Sequence, residues 1–279
     1  MSSCRFVLLL FIAGNALAAG DGFLIGGGLE TDSEDAVRGS LLGGFSIRED
    51  TWLSGGLSQS SVELPTGRSI DTLYADLGLD HWFDPVGVRF GVSYWGDSEV
   101  LDSNDWHAAL YWRGGKVTLS AEYEFRDFDF TVPSTDLTAG REFTFDAGGI
   151  GATARLELND NISMSLAGKT YDYSVDFAPL ENRDVISLIS VSRLSLINSL
   201  IDSRVSLGFA IDRGLKRWEL DFSTWHGEVD KSRTNSFTIR YLMPIGGKTD
   251  IELGLGYDDS DLYGGVTFFS IFLYLYGGI

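Results

Sequence analysis

From Gly20 onward the chain alternates: apolar side chains recur at every second position in runs of about ten residues or more, with polar or charged side chains between them. Only a pleated strand sends successive side chains to opposite faces in this way. The clearest run is Lys116 to Phe125, where Val117, Leu119, Ala121, Tyr123 and Phe125 oppose Lys116, Thr118, Ser120, Glu122 and Glu124. The same pattern sets Val86, Val88, Phe90, Val92 and Tyr94 against Arg89 and Ser93. It sets Trp106, Ala108, Leu110 and Trp112 against His107, Tyr111 and Arg113. It returns at Arg204–Asp212, Arg217–Phe222, Ser236–Tyr241 and Ile251–Asp258. Helical periodicity is weak throughout. The reading is an all-β chain of long strands.

Alternation alone also fits a soluble sandwich. Three features favour a closed antiparallel transmembrane barrel. The runs exceed the ~5–6 residues usual in soluble strands and match a tilted membrane-crossing strand. The polar face carries full charges of both signs, which suits a wet interior; the candidates are Arg89, Arg113, Lys116, Glu122, Glu124, Arg126, Lys169, Arg204, Glu219, Asp221, Arg240 and Glu252. Such a set either tunes ion selectivity or pairs across strands and fills the lumen. Aromatic residues gather near strand ends as an interfacial belt does: Trp52, Trp82, Tyr94, Trp95, Trp106, Trp112, Trp218, Trp225 and Tyr257.

Connections also alternate in length. Arg48-Glu49-Asp50, Asp84 to Gly87, Arg113 to Lys116, Asn159 to Asn161 and Pro244 to Lys248 are short. Glu63 to Asp71, Asp97 to Asp105, Thr131 to Arg141 and Asp176 to Asp184 are long and polar. Short turns at one rim and longer loops at the other are the habit of outer-membrane barrels. About fifteen segments qualify as strands, but single-chain bacterial barrels use even numbers, and the phase breaks within Ile186–Ile201. The expectation is about fourteen strands, with 12 to 16 allowed. The uncharged stretch Leu262–Ile279 is long enough for a membrane helix, but its β-branched and aromatic residues, with glycines at both ends, read as a closing strand.

The first residues read as a secretory signal. Arg5 precedes the apolar run Phe6–Ala13, and Ala16-Leu17-Ala18 is a cleavage site, with Ala19 as an alternative last residue. Residues 1–18 are therefore set apart from the barrel, 19–279. The one cysteine, Cys4, lies before the apolar run, so neither lipidation nor a disulfide is expected. Cleavage changes the net charge from −19 to −20, which makes nucleic acid an improbable partner and favours cations near the mouth.

With these features the chain resembles the Gram-negative outer-membrane β-barrel class, in particular monomeric porin-like channels of similar length. The resemblance covers the whole mature chain and is carried by pattern rather than by a family motif. It implies insertion into outer-membrane lipid by the barrel-assembly machinery and passage of small solutes or ions. In that class the last strand normally ends on an aromatic residue; here Tyr276 is followed by Gly277-Gly278-Ile279.

The functional expectation is a passive channel for small hydrophilic solutes or ions, weakly cation-preferring. The alternatives are a structural or surface-binding barrel with a plugged lumen, and transport of hydrophobic molecules past Phe268, Phe272, Tyr274 and Tyr276. A further alternative is a rim protease of the omptin type, suggested by Asp105-Trp106-His107 and Asp127-Phe128-Asp129. Strand parity opposes the protease, because His107 shares a face with Arg113 while Asp127 and Asp129 fall opposite Glu124 and Arg126. His81, His107 and His226 lie in no nucleophile or metal motif. The acidic loops Asp32–Asp35, Asp97–Asp105 and Asp258–Asp261 lack EF-hand spacing and read as solvated outer loops. No enzyme activity, cofactor or metal is expected.

Overall fold

The computed structural model describes residues 22–63, 69–97, 101–132, 141–175, 200–229, 231–262 and 264–278. These form fourteen strands: β1 (Phe23–Asp32), β2 (Val37–Arg48), β3 (Thr51–Glu63), β4 (Ser69–Phe83), β5 (Val86–Gly96), β6 (Leu101–Gly114), β7 (Val117–Val132), β8 (Arg141–Asn159), β9 (Ile162–Tyr173), β10 (Ile201–Arg213), β11 (Lys216–Gly227), β12 (Arg233–Gly246), β13 (Thr249–Ser260) and β14 (Gly264–Gly277). Each pairs antiparallel with its sequence neighbours. β1 also pairs with β14, from Phe23↔Gly277 to Asp32↔Phe268, so the sheet is a closed barrel. The uncharged C-terminal stretch is thus the closing strand. Among the described residues no helix is long and apolar enough to cross a membrane. The stretch from Ile186 to Ser199, where the alternation changes phase, lies outside the described residues; β10 opens at Ile201.

The rim that holds the start of β1 and the end of β14 carries the tight connections. They are the residue pairs Glu49-Asp50, Asp84-Pro85, Gly115-Lys116, Asp160-Asn161, Gly214-Leu215 and Gly247-Lys248. Gly115 and Gly214 sit at φ +58° and +63°, the left-handed region in which a side chain is strained. The other rim carries the connections between β3 and β4, β7 and β8, and β9 and β10, where three of the long loops read from the sequence fall; the fourth, Asp97 to Asp105, is corrected, because β6 begins at Leu101 and takes in its second half.

Register fixes the two faces. Directly paired residues share a face, so Trp106↔Phe125 and Leu110↔Ala121 point one way, and Asp105↔Arg126 and His107↔Glu124 point the other. Exposure is the reverse of that in a water-soluble core. Outward Trp106 and Ile150 are 63% and 62% exposed, while inward Arg126 is 4% exposed. Outward Leu77, Leu79, Phe90, Leu119, Tyr123, Leu166, Phe222 and Leu255 continue the apolar belt around the barrel. Outward acids such as Asp102, Asp127, Asp129 and Asp146 occur only near the loop rim of their strands.

The register corrects the aromatic belt. Tyr94, Trp106, Trp112, Trp218 and Tyr257 face outward, but Trp52, Trp82, Trp95 and Trp225 face inward. Trp52 pairs with Asp80, Trp95 with Ser103 and Trp225 with Arg204, all inward positions; Trp82 stacks on inward Tyr111, with ring centroids 5.6 Å apart. Proximity to a strand end does not specify a face, whereas the two-residue repeat does. Tyr94 and Trp95, being adjacent, cannot both look outward.

The outward face predicts a depth-dependent penalty. Leu110→Arg, at an outward position between Trp106 and Trp112 on one strand, is expected to destabilise the barrel by about 2–4 kcal/mol. Denaturant unfolding in lipid vesicles measures it, and inward Ser58→Arg should cost far less.

Candidate functional site

Ten charged side chains of the inner wall form two alternating chains. In the first, Arg126 Nε lies 3.3 Å from Asp105 Oδ1 and 3.4 Å from Glu124 Oε1. Lys169 Nζ then bridges Glu124 and Glu122, at 2.9 Å from the Glu122 oxygen. Ser103 donates its hydroxyl to Asp105. The register explains the chain, since Asp105↔Arg126 and Glu122↔Gly151↔Lys169 bring these side chains to neighbouring inward positions. In the second chain, Arg217 contacts Glu219 at 2.7 Å and Asp212 at 3.5 Å. Arg240 contacts Glu219 at 3.1 Å and Asp221 at 2.6 Å. Each chain is acid–base–acid–base–acid, so every cation is held between carboxylates.

The remaining sequence candidates are placed one by one. Arg89 faces inward and bonds Asp80, which also accepts the Tyr111 hydroxyl. Glu252 faces inward and accepts a hydrogen bond from Tyr274 at 3.4 Å. Arg113 lies near the turn rim, 5.2 Å from the Trp82 ring centre. Lys116 is corrected: it sits exposed in the Gly115-Lys116 turn, because β7 begins at Val117. Arg204 is exposed on the inner wall, 5.4 Å from the Trp225 ring centre, with no carboxylate in ion-pair contact among the described residues. Inward Glu30, Arg38, Asp80, Asp105, Arg217 and Asp258 belong to the same wall and were not among the lumen candidates read from the sequence. Their strand parity was the available signal.

The interior is asymmetric. At the loop rim of β6, β7 and β8, Leu101, Phe128, Phe130, Phe145 and Ala147 turn inward and pack with Leu200 into a cluster at most 6% exposed. Trp95, Tyr173 and Val229 pack against it. Phe128 stacks on Phe145 at 4.7 Å between centroids, and Arg126 lies 4.8 Å from the Phe128 ring centre. The first ion-pair chain borders this cluster, so that side of the lumen is filled. On the opposite side a cavity of about 530 Å³ remains, lined by residues of β1, β2 and β10–β14. Its lining mixes Arg38, Arg204, Arg240, Glu30, Asp221, Glu252 and Asp258 with serines, Thr238, Trp225, Phe268, Phe272 and Tyr274.

Inward aromatic rings on the open side lie against the wall instead of filling it. Phe272 covers Gly28, and Tyr274 lies over Gly26, where a Cβ would come within 2.7 Å of its ring. The glycines leave a floor for each ring, so four inward aromatics on β14 (Phe268, Phe272, Tyr274 and Tyr276) coexist with an open cavity.

The rim-protease constellation is not brought together. Asp105 and His107 face inward and Asp105 is engaged by Arg126, whereas Asp127 and Asp129 occupy the outward parity of β7. Among the described residues no group of His, Cys, Asp and Glu could hold a metal ion.

No family model and no curated protein matches the chain. Among solved structures, the barrel is similar to the CymD monoaromatic hydrocarbon channel, with TM-score 0.58 and 9% identity over 92% of this chain and 88% of that one. It is also similar to outer-membrane expressed OmpT of Vibrio cholerae, with TM-score 0.54 and 8% identity over 92% and 98% of the two chains. A loop L8 deletion mutant of that protein gives TM-score 0.52 and 10% identity over 92% and 99%. The fold is therefore that of the outer-membrane β-barrels, in a fourteen-stranded form.

The two chains should respond differently to loss of a cation. Arg126→Met leaves Asp105 and Glu124 facing each other in a buried site and is expected to cost about 3–5 kcal/mol. Arg240→Met removes a half-exposed partner and should cost about 1 kcal/mol or less. Parallel urea titrations of the folded barrel would compare them; equal losses would show that burial does not separate the two sites.

Proposed function

We propose that this protein is an outer-membrane channel that passes small hydrophilic solutes or ions by diffusion, with a weak preference for cations. The observation that carries the reading is the cavity of about 530 Å³ with a hydrophilic, charge-bearing lining inside a closed barrel. Eight-stranded barrels fill their interiors with side chains and 16–18-stranded porins leave an aqueous channel, so fourteen strands leave room for water beside a partial filling. The solved structure similar in fold and described as a monoaromatic hydrocarbon channel supports a transport role. Cation preference is favoured by acidic residues around the loop rim, including Glu34, Asp35, Asp97, Asp102, Asp127, Asp129 and Asp261, which raise local cation concentration. Delivery by a signal peptide cleaved after Ala18 or Ala19, assembly by the barrel-insertion machinery and residence in outer-membrane lipid complete the reading.

Two other readings have specific support. The buried Phe128–Phe145 cluster and the paired charge chains favour a plugged, structural or surface-binding barrel. The inward rings of Phe268, Phe272 and Trp225 favour passage of hydrophobic molecules. The open, hydroxyl-rich side of the lumen weighs for hydrophilic passage over both. No catalytic role is proposed.

The asymmetric lumen makes the channel testable. The sole cysteine, Cys4, precedes the expected cleavage site, so introduced cysteines report alone. Thiol labelling of Ser236→Cys, on the open side, should lower single-channel conductance in planar bilayers, while Ala147→Cys, in the filled side, should stay unlabelled. A potassium chloride gradient should give a cation-selective reversal potential. Absence of conductance, or strong anion selectivity, would defeat the reading.

A further inference from the structure

Arg204 differs from the ion-paired cations of the inner wall; like Arg113 and Arg155 it makes no ion pair with a carboxylate among the described residues, but of these three it alone lines the open cavity. Arg126, Lys169, Arg217 and Arg240 each touch two carboxylates, and Arg89 touches one. Arg204 is in cross-strand register with Lys169 on one side and Trp225 on the other. A like-charged pair directly opposite in a sheet is unfavourable. Lys169 turns towards Glu122 and Glu124, which leaves Arg204 against the Trp225 ring and 3.5 Å from the Ser223 hydroxyl. Two carboxylates of the same cavity act on Arg204: Asp258, which makes no ion-pair contact with it, and Asp221, which is taken by Arg240 at 2.6 Å. The next inward neighbours of Arg204 are Ser206 and Ser223, whose small side chains leave its planar face open to the cavity.

We infer that Arg204 and Trp225 form a binding subsite for small organic anions that carry a carboxylate on an aromatic ring. This inference rests on the reading of the cavity as a water-accessible lumen. A guanidinium offers two parallel N–H donors to a carboxylate, which an ammonium cannot match. Ser206 and Ser223 supply hydroxyls to the remaining oxygen lone pairs. Phe268 and Phe272 line the same cavity and, with Trp225, present aromatic surface to the ligand ring. The subsite would recruit such anions within a barrel whose outer rim attracts cations, so ion preference and solute binding are set at different depths.

The probe is benzoate, with acetate and benzylamine as controls that lack the ring or the negative charge. Binding is followed by saturation-transfer NMR on the full barrel in detergent, and by current interruptions in planar bilayers. Benzoate should bind in the millimolar range and interrupt current more than either control. Arg204→Gln should weaken binding about tenfold, the loss expected of one charge-assisted contact. Trp225→Leu should weaken it less, and Arg204→Lys should restore only part of it. A β-sheet circular-dichroism spectrum and a heat-dependent gel shift matching those of wild type establish that Arg204→Gln is folded. Equal benzoate binding in wild type and Arg204→Gln, or equal binding of benzylamine, overturns the subsite. Benzoate binding without any conductance keeps the subsite and defeats the channel reading, so the two failures are separable.

Discussion

Closure of the backbone ladder between β1 and β14 is the constraint on which the rest of this structure depends. In hydrocarbon no water is available to an unpaired N–H or C=O, and each such group costs several kcal/mol. An open fourteen-stranded sheet would expose two edges of them. Pairing from Phe23↔Gly277 to Asp32↔Phe268 removes both edges, and the barrel then has only two surfaces, inside and outside. Each side chain is assigned to one of them by a two-residue repeat that cannot slip without inverting a whole strand.

That separation explains an interior that would be costly in a water-soluble protein. Buried Arg126 and Asp105 and half-buried Glu124 are not isolated: Asp105 meets Arg126 across adjacent strands, and Glu124 meets Arg126 along β7 and Lys169 from β9. Buried ion pairs seldom add much net stability against an apolar alternative. What the alternating chains accomplish is to fill one side of the lumen without leaving an uncompensated charge. The aromatic cluster above them extends the filling to the loop rim.

The other side follows a different rule. Serines and glycines replace bulk, and the rings of β14 lie flat on glycine-bearing neighbours. The same barrel therefore holds a packed side and a hydrated side. Function is read from the hydrated side, where Arg204 keeps its guanidinium turned to the cavity and the charges of Arg240 and Asp221 are spent on each other. The similarity to solved outer-membrane barrels at 10% identity or below supports the architecture and leaves the solute to the lining residues.

Strand character, the approximate strand number and the placement of short turns at one rim were all legible in the sequence, since each depends on local chemistry. Alternation follows from the pleat, tight turns follow from glycine and Asn/Asp pairs, and Leu262–Ile279 is β-branched and aromatic. The inward parity of Glu124, Arg126, Arg204 and Arg240 was legible for the same reason. Only the closed sheet decided which charges meet, because Asp105 and Lys169 approach Arg126 and Glu124 through strand register, and register is not a local property. It also decided that Trp52, Trp82, Trp95 and Trp225 serve the interior. An aromatic ring suits a membrane interface and a lumen equally well, and the ladder alone chooses between them.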